Sequence, residues 1–170
     1  TFADCNNEGP GFLEIDLVAH CGESTEGLYL HTLSTVDIAT RWVECQGVWG
    51  KGQDRVGSAI HHIAQRLPFR LLGLDSDNGS DFINHHLLAY CERKHITFTR
   101  ARPYKKNDQC HVEEKNGSII RKFIGYDRFE GIQPCRTLSA WYKLLRLYVN
   151  FFQPSLKLAS KTRVGSRVIK

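Results

Sequence analysis

The chain of 170 residues contains no methionine. Without an initiator, the expectation is that it is a piece of a longer protein. No stretch approaches the roughly 18 consecutive apolar residues of a membrane span, so no membrane partner is expected. The N-terminus, TFADCNNEGPG, has neither a basic n-region nor an apolar h-region and does not read as a signal peptide. Six cysteines are too sparse for a disulfide scaffold, and none forms the C-x-x-C pair of a zinc knuckle. Reduced thiols in a cytoplasmic compartment are the default. GVWGKG (47–52) lacks the G-x-x-x-x-G-K-[ST] spacing of a phosphate loop and reads as a hairpin-to-helix connection.

What is present is a globular composition, 41% hydrophobic and 24% charged, with one domain's worth of core. The charge is unevenly distributed. Residues 1–99 carry 13 acidic and 7 basic side chains, whereas residues 100–170 carry 5 acidic and 16 basic. An acidic half joined to a basic half implies a polyanionic partner, plus something that makes the carboxylates tolerable beside it.

FLEIDLVAH (12–20) reads as a strand, with Leu13, Ile15 and Leu17 on one face and Phe12, Glu14, Asp16, Val18 and His20 on the other. After turn residues 21–27, segments 28–36 and 40–46 read as an antiparallel hairpin broken at 37–39. Val56, Ile60, Ile63, Ala64 and Leu67 recur at helical spacing over 54–66, and Pro68 ends that helix. RLLGLDSD is a short buried strand. A helix capped by Ser80 is predicted to run to about Arg93, followed by a brief strand over 96–99. Long helices are predicted over 108–126 and 138–152, and residues 153–170 read as a basic arm or linker after a catalytic domain at 1–152. Strands alternating with helices in this order argue for an α/β fold, a mixed five-stranded sheet flanked by helices.

Three carboxylates occupy positions where such a fold can gather them. Asp16 lies in the middle of the first strand, Asp77 at the C-terminal end of the fourth, and Glu113 at the start of the long helix. Converging carboxylates repel and stay ionised only with cations between them. Hard oxygen ligands fit Mg²⁺ or Mn²⁺, and two such ions about 4 Å apart clamp the attacking and leaving oxygens of a phosphoryl displacement. Helical phase favours Glu113 over Glu114, because Val112, Asn116, Ile119, Ile120 and Phe123 form the inward stripe and Glu113 lies at its rim.

The 35 residues between Asp77 and Glu113 match the D,D-35-E spacing of retroviral integrases and bacterial insertion-sequence transposases. LDSDNGSDF (74–82) resembles the D-N-G-x-E-F segment of that family, with Asp81 where it often has Glu. NDQCHVEEKNG (107–117) resembles its V-E-x-x-N helix start. RKFIGYDRFEG and YVNFFQPSLKL extend the resemblance to DDE-type transposases, which covers about residues 10–160. The resemblance implies an RNase H-like fold, two bound Mg²⁺ (or Mn²⁺) ions held by Asp16, Asp77 and Glu113, and metal-dependent cleavage and strand transfer of transposon-end DNA into target DNA. It also implies a homo-oligomer in the active complex and a prokaryotic, nucleoid-associated location. Two alternatives stand beside this reading: an RNase H-like nuclease or resolvase, and a non-catalytic DNA-binding or assembly module derived from a transposase.

Other residues carry weaker signals. Glu14 shares the face of Asp16 and is the rival for its place, while Asp75 is expected to serve a structural or capping role. His20 reads as a satisfied core histidine, and His111 flanks the proposed site. Arg102, Lys105 and Lys106 surround Tyr104 in a basic loop suited to phosphate contact and base stacking. Lys115, Asn116, Arg121 and Lys122 on the following helix complete the expected DNA-binding set.

Overall fold

Alternating apolar side chains make the first strand the centre of the molecule. A computed structural model describes residues 9–79, 82, 85–102, 108–153, 155, 162–165 and 167–169. The central strand is β1 (Phe12–His20); β2 (Leu30–Asp37) and β3 (Val43–Trp49) follow it as an antiparallel meander. The helix α1 (Gln53–Ala64) leads to β4 (Gly73–Ser76), and α2 (His85–Lys94) leads to β5 (Thr97–Arg100). The order is β3-β2-β1-β4-β5, with β4 parallel to both β1 and β5, which makes the expected mixed five-stranded sheet.

The two faces of β1 feed two cores. Leu13, Ile15 and Leu17 pack with Val56, Ile60 and Ile63 of α1 and with Leu87 and Cys91 of α2. Val18, on the opposite face, joins Val112, Ile119, Ile120 and the inward residues Leu138, Tyr142, Leu145 and Val149. Helices therefore cover both sides of the sheet. This second layer is built from α3 (Cys110–Lys115), a π-helical segment (Asn116–Arg121), and α4 (Ile132–Phe152).

Three boundaries differ from the sequence expectation. The hairpin break falls after Asp37 rather than at it. The Asp37 carboxylate accepts from the Gly11 N–H and from the N–H and hydroxyl of Thr40, which closes the turn, and β3 continues to Trp49. The helix expected over 108–126 is shorter and changes to π geometry at Asn116. Gly125, at φ +88°, adopts the left-handed conformation beyond its end. Helix α4 starts at Ile132 rather than 138. Gly131 at φ +92° turns the chain into it, and Pro134 sits in the first turn, where no intrahelical N–H bond is lost.

Within the segment expected to be an arm, β6 (Thr162–Val164) and β7 (Arg167–Ile169) pair antiparallel. Among the described residues no helix is long and apolar enough to cross a membrane.

Candidate functional site

The parallel pairing of β1 and β4 creates the site. Ile15 is opposite Ser76, so Asp16 is the next residue on β1 and Asp77 the first residue beyond β4. Asp16 is half-buried on the β1 face that α3 covers. Its Oδ1 accepts the Leu17 N–H at 2.7 Å, and its Oδ2 accepts the Asn116 side-chain amide at 2.7 Å. Asp77 leaves β4 in a turn closed by the Gly79 N–H, which donates to Asp77 Oδ1 at 2.9 Å. The D-N-G sequence thus forms its turn while leaving the carboxylate exposed at the strand end.

Glu113 is exposed in α3. The Asp16 carboxyl is held above the usual carboxylate range chiefly by burial, and also by the nearby charges of Asp77 and Glu113. The Leu17 N–H and the Asn116 amide pull the other way. Asp77 and Glu113 are therefore each electrostatic neighbours of Asp16.

Glu14, the rival of Asp16, is placed elsewhere. Its side chain is wholly buried, and its Oε2 accepts the N–H groups of His111 and Val112, both at 2.8 Å. It docks the start of α3 onto β1. Burial pushes its carboxyl up to about 7, with Asp75 adding to the effect, against the two N–H bonds and Arg41. Alternation had put Glu14 on the correct face. Its partners lie nearly 100 residues away, and no local signal could name them.

Asp75 has the structural role expected of it. It is buried, accepts the Thr99 hydroxyl, and accepts the Gln109 amide at 2.6 Å. Next to this bond, Asp108 is buried and binds Arg102 through the backbone N–H, Nε and Nη2 at 2.8–2.9 Å. Together Gln109 and Asp108 tie the approach to α3 back to β4 and to the end of β5. His20 is buried in the core, but only half satisfied where full satisfaction was expected: its Nε2 meets the Thr32 hydroxyl at 2.7 Å, and that hydroxyl meets the Tyr142 hydroxyl at 2.7 Å, while its Nδ1 is buried without a hydrogen-bond partner among the described residues.

The residues expected to grip DNA fall into different environments. Asn116 belongs with Asp16, a role its sequence position suggested only through its shared side of the helix with Glu113. Lys115 reaches the Ser155 hydroxyl at 3.0 Å and Glu114 at 3.1 Å. Arg121 donates to the carbonyls of Ala19 and Gly125 and lies over the Tyr126 ring, so its guanidinium straps the end of the π segment to β1. Lys122 is exposed beside the Phe123 ring. Tyr104, Lys105 and Lys106 lie outside the described residues, as do Ser80 and Asp81.

No family model matches the chain. The uncharacterized protein y4rM of Sinorhizobium fredii (strain NBRC 101917 / NGR234) is 44% identical over all 170 residues, and the chain spans about half, 49%, of its length. Among solved structures, the catalytic core domain of BIV integrase matches with a TM-score of 0.64 and 22% identity, over 87% of this chain and 88% of that one. The HTLV-2 integrase catalytic core domain in complex with magnesium, in its dimeric form, matches with a TM-score of 0.63 and 16% identity, over 87% and 92% of the two chains. A chain of the simian T-cell lymphotropic virus intasome in complex with PP2A regulatory subunit B56 gamma matches with a TM-score of 0.64 and 17% identity, over 92% of this chain and 54% of that one. The chain therefore has the RNase H-like fold of retroviral integrase catalytic cores.

Proposed function

We propose that this chain is the catalytic core of a DDE-type transposase of the bacterial insertion-sequence kind, which cuts transposon-end DNA and joins it to target DNA. The observation that carries the reading is the placement of Asp77 immediately beyond β4, which pairs parallel with β1 up to the residue before Asp16, with both Asp77 and Glu113 close enough to raise the Asp16 carboxyl. An integrase-core fold supports it.

The donor set fits a hard divalent cation. It consists of carboxylate oxygens, and their mutual repulsion is what a cation would relieve. Asp16, Asp77 and Glu113 would hold two Mg²⁺ or Mn²⁺ ions. When bound, such a pair stabilises the attacking and leaving oxygens of an in-line phosphoryl transfer.

The protein's own part is positioning. The Leu17 N–H and Asn116 orient Asp16, the Gly79 N–H orients Asp77, and Glu14 seats the helix that presents Glu113. Exposed Lys122, with the basic loop, would meet the DNA backbone. Exposed Leu144, Phe151 and Phe152 on α4 support a homo-oligomer in the active complex. The proposed setting is the prokaryotic cytoplasm, on the nucleoid.

The test is strand transfer on end-containing DNA with Mg²⁺. Asp77→Asn should abolish joining while circular dichroism stays native, and retained joining overturns the assignment. Cleavage of RNA–DNA hybrids or branched junctions without joining would instead mark a related nuclease. Salt-sensitive DNA binding with no Mn²⁺ uptake would mark a non-catalytic module.

A further inference from the structure

Behind the three carboxylates lies a second cluster with different chemistry. Glu14 of β1 and Cys110 and His111, the first two residues of α3, each offer one ligand atom, all within 4.8 Å of one another. His111 Nε2 is 3.9 Å from Glu14 Oε1, and Cys110 Sγ is 3.5 Å from His111 Nδ1 and 3.9 Å from His111 Nε2. We propose that Glu14, Cys110 and His111 form a second cation site that takes a borderline divalent ion of the Zn²⁺ class.

The donor types select the ion. Thiolate and imidazole favour Zn²⁺-like ions over Mg²⁺, which prefers oxygen alone. Zn–S and Zn–N bonds of about 2.3 and 2.0–2.1 Å put tetrahedral donors roughly 3.3–3.6 Å apart. The separations of 3.9 Å need to contract by roughly 0.3–0.6 Å, and the pair bounded only by 4.8 Å by about 1.5 Å at most, a movement open to Cys110, which is exposed.

A separate observation points to a ligand here. Glu14 is 0% exposed, and its Oε1 has no hydrogen-bond partner among the described residues, although its Oε2 accepts two N–H groups. A buried carboxylate oxygen in that state is costly, and a cation between it and His111 would satisfy it. Arg41 is the competing positive charge, since its field reaches both Glu14 and Cys110. Its Nη1 is itself buried without a hydrogen-bond partner among the described residues, so it does not satisfy Oε1.

The placement gives the site a consequence. Glu14 lies two residues from Asp16 on β1, and His111 and Cys110 lie two and three residues from Glu113 on α3, so an ion there would pin together the strand and helix that carry two of the three carboxylates.

The test is Co²⁺ titration followed by the near-ultraviolet thiolate-to-cobalt charge-transfer band. The expected result is a band saturating at one equivalent, displaced by Zn²⁺, lost in Cys110→Ser and kept in Asp77→Asn. His111→Ala should weaken Zn²⁺ at least about tenfold, the lower bound seen for outer-shell partners of metal sites. No band in the unsubstituted protein, or an unchanged band in Cys110→Ser, overturns the proposal. Should either variant unfold, X-ray absorption at the zinc edge of the unsubstituted protein decides: a sulfur neighbour supports the site, and an all-oxygen shell overturns it. Because Asp77→Asn leaves this readout intact, the outcome is independent of the transposase reading.

Discussion

Asn116 donates its side-chain amide to Asp16 Oδ2 at 2.7 Å, joining the π-helical segment to the middle of β1. Asn116→Ala should leave the fold intact, at a cost of about 1 kcal/mol in stability. It should slow Mg²⁺-dependent strand transfer by roughly 10- to 100-fold, the range for residues that orient metal ligands. Asn116→Asp should be worse, because it replaces a donor to Asp16 with a like charge. Unchanged rates in both variants would remove Asn116 from the positioning machinery.

Asp75 and Asp77 are two residues apart and should respond in opposite ways. Asp75 is buried and accepts from Thr99 and Gln109, so Asp75→Asn turns an acceptor toward a donor. A stability loss of about 1–3 kcal/mol follows. Asp77 is exposed at the end of its strand, so Asp77→Asn should change stability little and abolish the rise in melting temperature on adding Mn²⁺. Urea denaturation of both variants, with and without Mn²⁺, checks the contrast.

Glu44 is a buried hub of charge. Its carboxylate lies 3.3 Å from Arg66 Nε and 3.3 Å from Arg146 Nε, and it accepts the Trp42 indole N–H at 3.0 Å. Glu44→Ala strands two largely buried guanidiniums and should cost about 3–5 kcal/mol. Glu44→Gln, which keeps an acceptor, should cost less. Equal losses in the two variants would show that volume, rather than charge pairing, is what Glu44 contributes.

Acid should destabilise the fold through His20. Burial, with Arg121 and His31 nearby, lowers its pKa to about 4 from an ordinary 6.5. The unfolded chain binds a proton first, so stability is fully present above pH 6.5 and is lost as pH falls toward 4, by about 3 kcal/mol in all. Glu14, raised to about 7 by burial, acts in the opposite direction over the same range. The His20 contribution is therefore read as the difference in melting temperature between the unsubstituted protein and His20→Gln, which should fall from pH 7 to pH 4; a constant difference would remove His20 as its source.

Much of the fold was legible because it is local. Period-two alternation separated Leu13, Ile15 and Leu17 from Asp16 and Val18, and the 3.6-residue recurrence of Val56, Ile60 and Ile63 located α1. The π segment was not legible, since its sequence, NGSIIR, carries the same inward stripe a plain helix would. The role of Asp75 was anticipated, although its partners Thr99 and Gln109 were not. The internal use of Arg121 went unseen: its acceptor at Ala19 is 102 residues distant, and a basic side chain looks the same in sequence whether it meets phosphate or a carbonyl.

By itself the sequence determined the strand and helix periods, the spacing from Asp77 to Glu113, and the face of β1 that carries both Glu14 and Asp16. Only the tertiary structure decided between those two acids. Both leave β1 toward α3, and burial obliges each to find partners. Docking brings the N–H groups that open α3 to Glu14 and brings Asn116 to Asp16. One acid thereby caps a helix while the other stands beside Asp77, because a buried carboxylate takes its role from the donors that packing delivers to it.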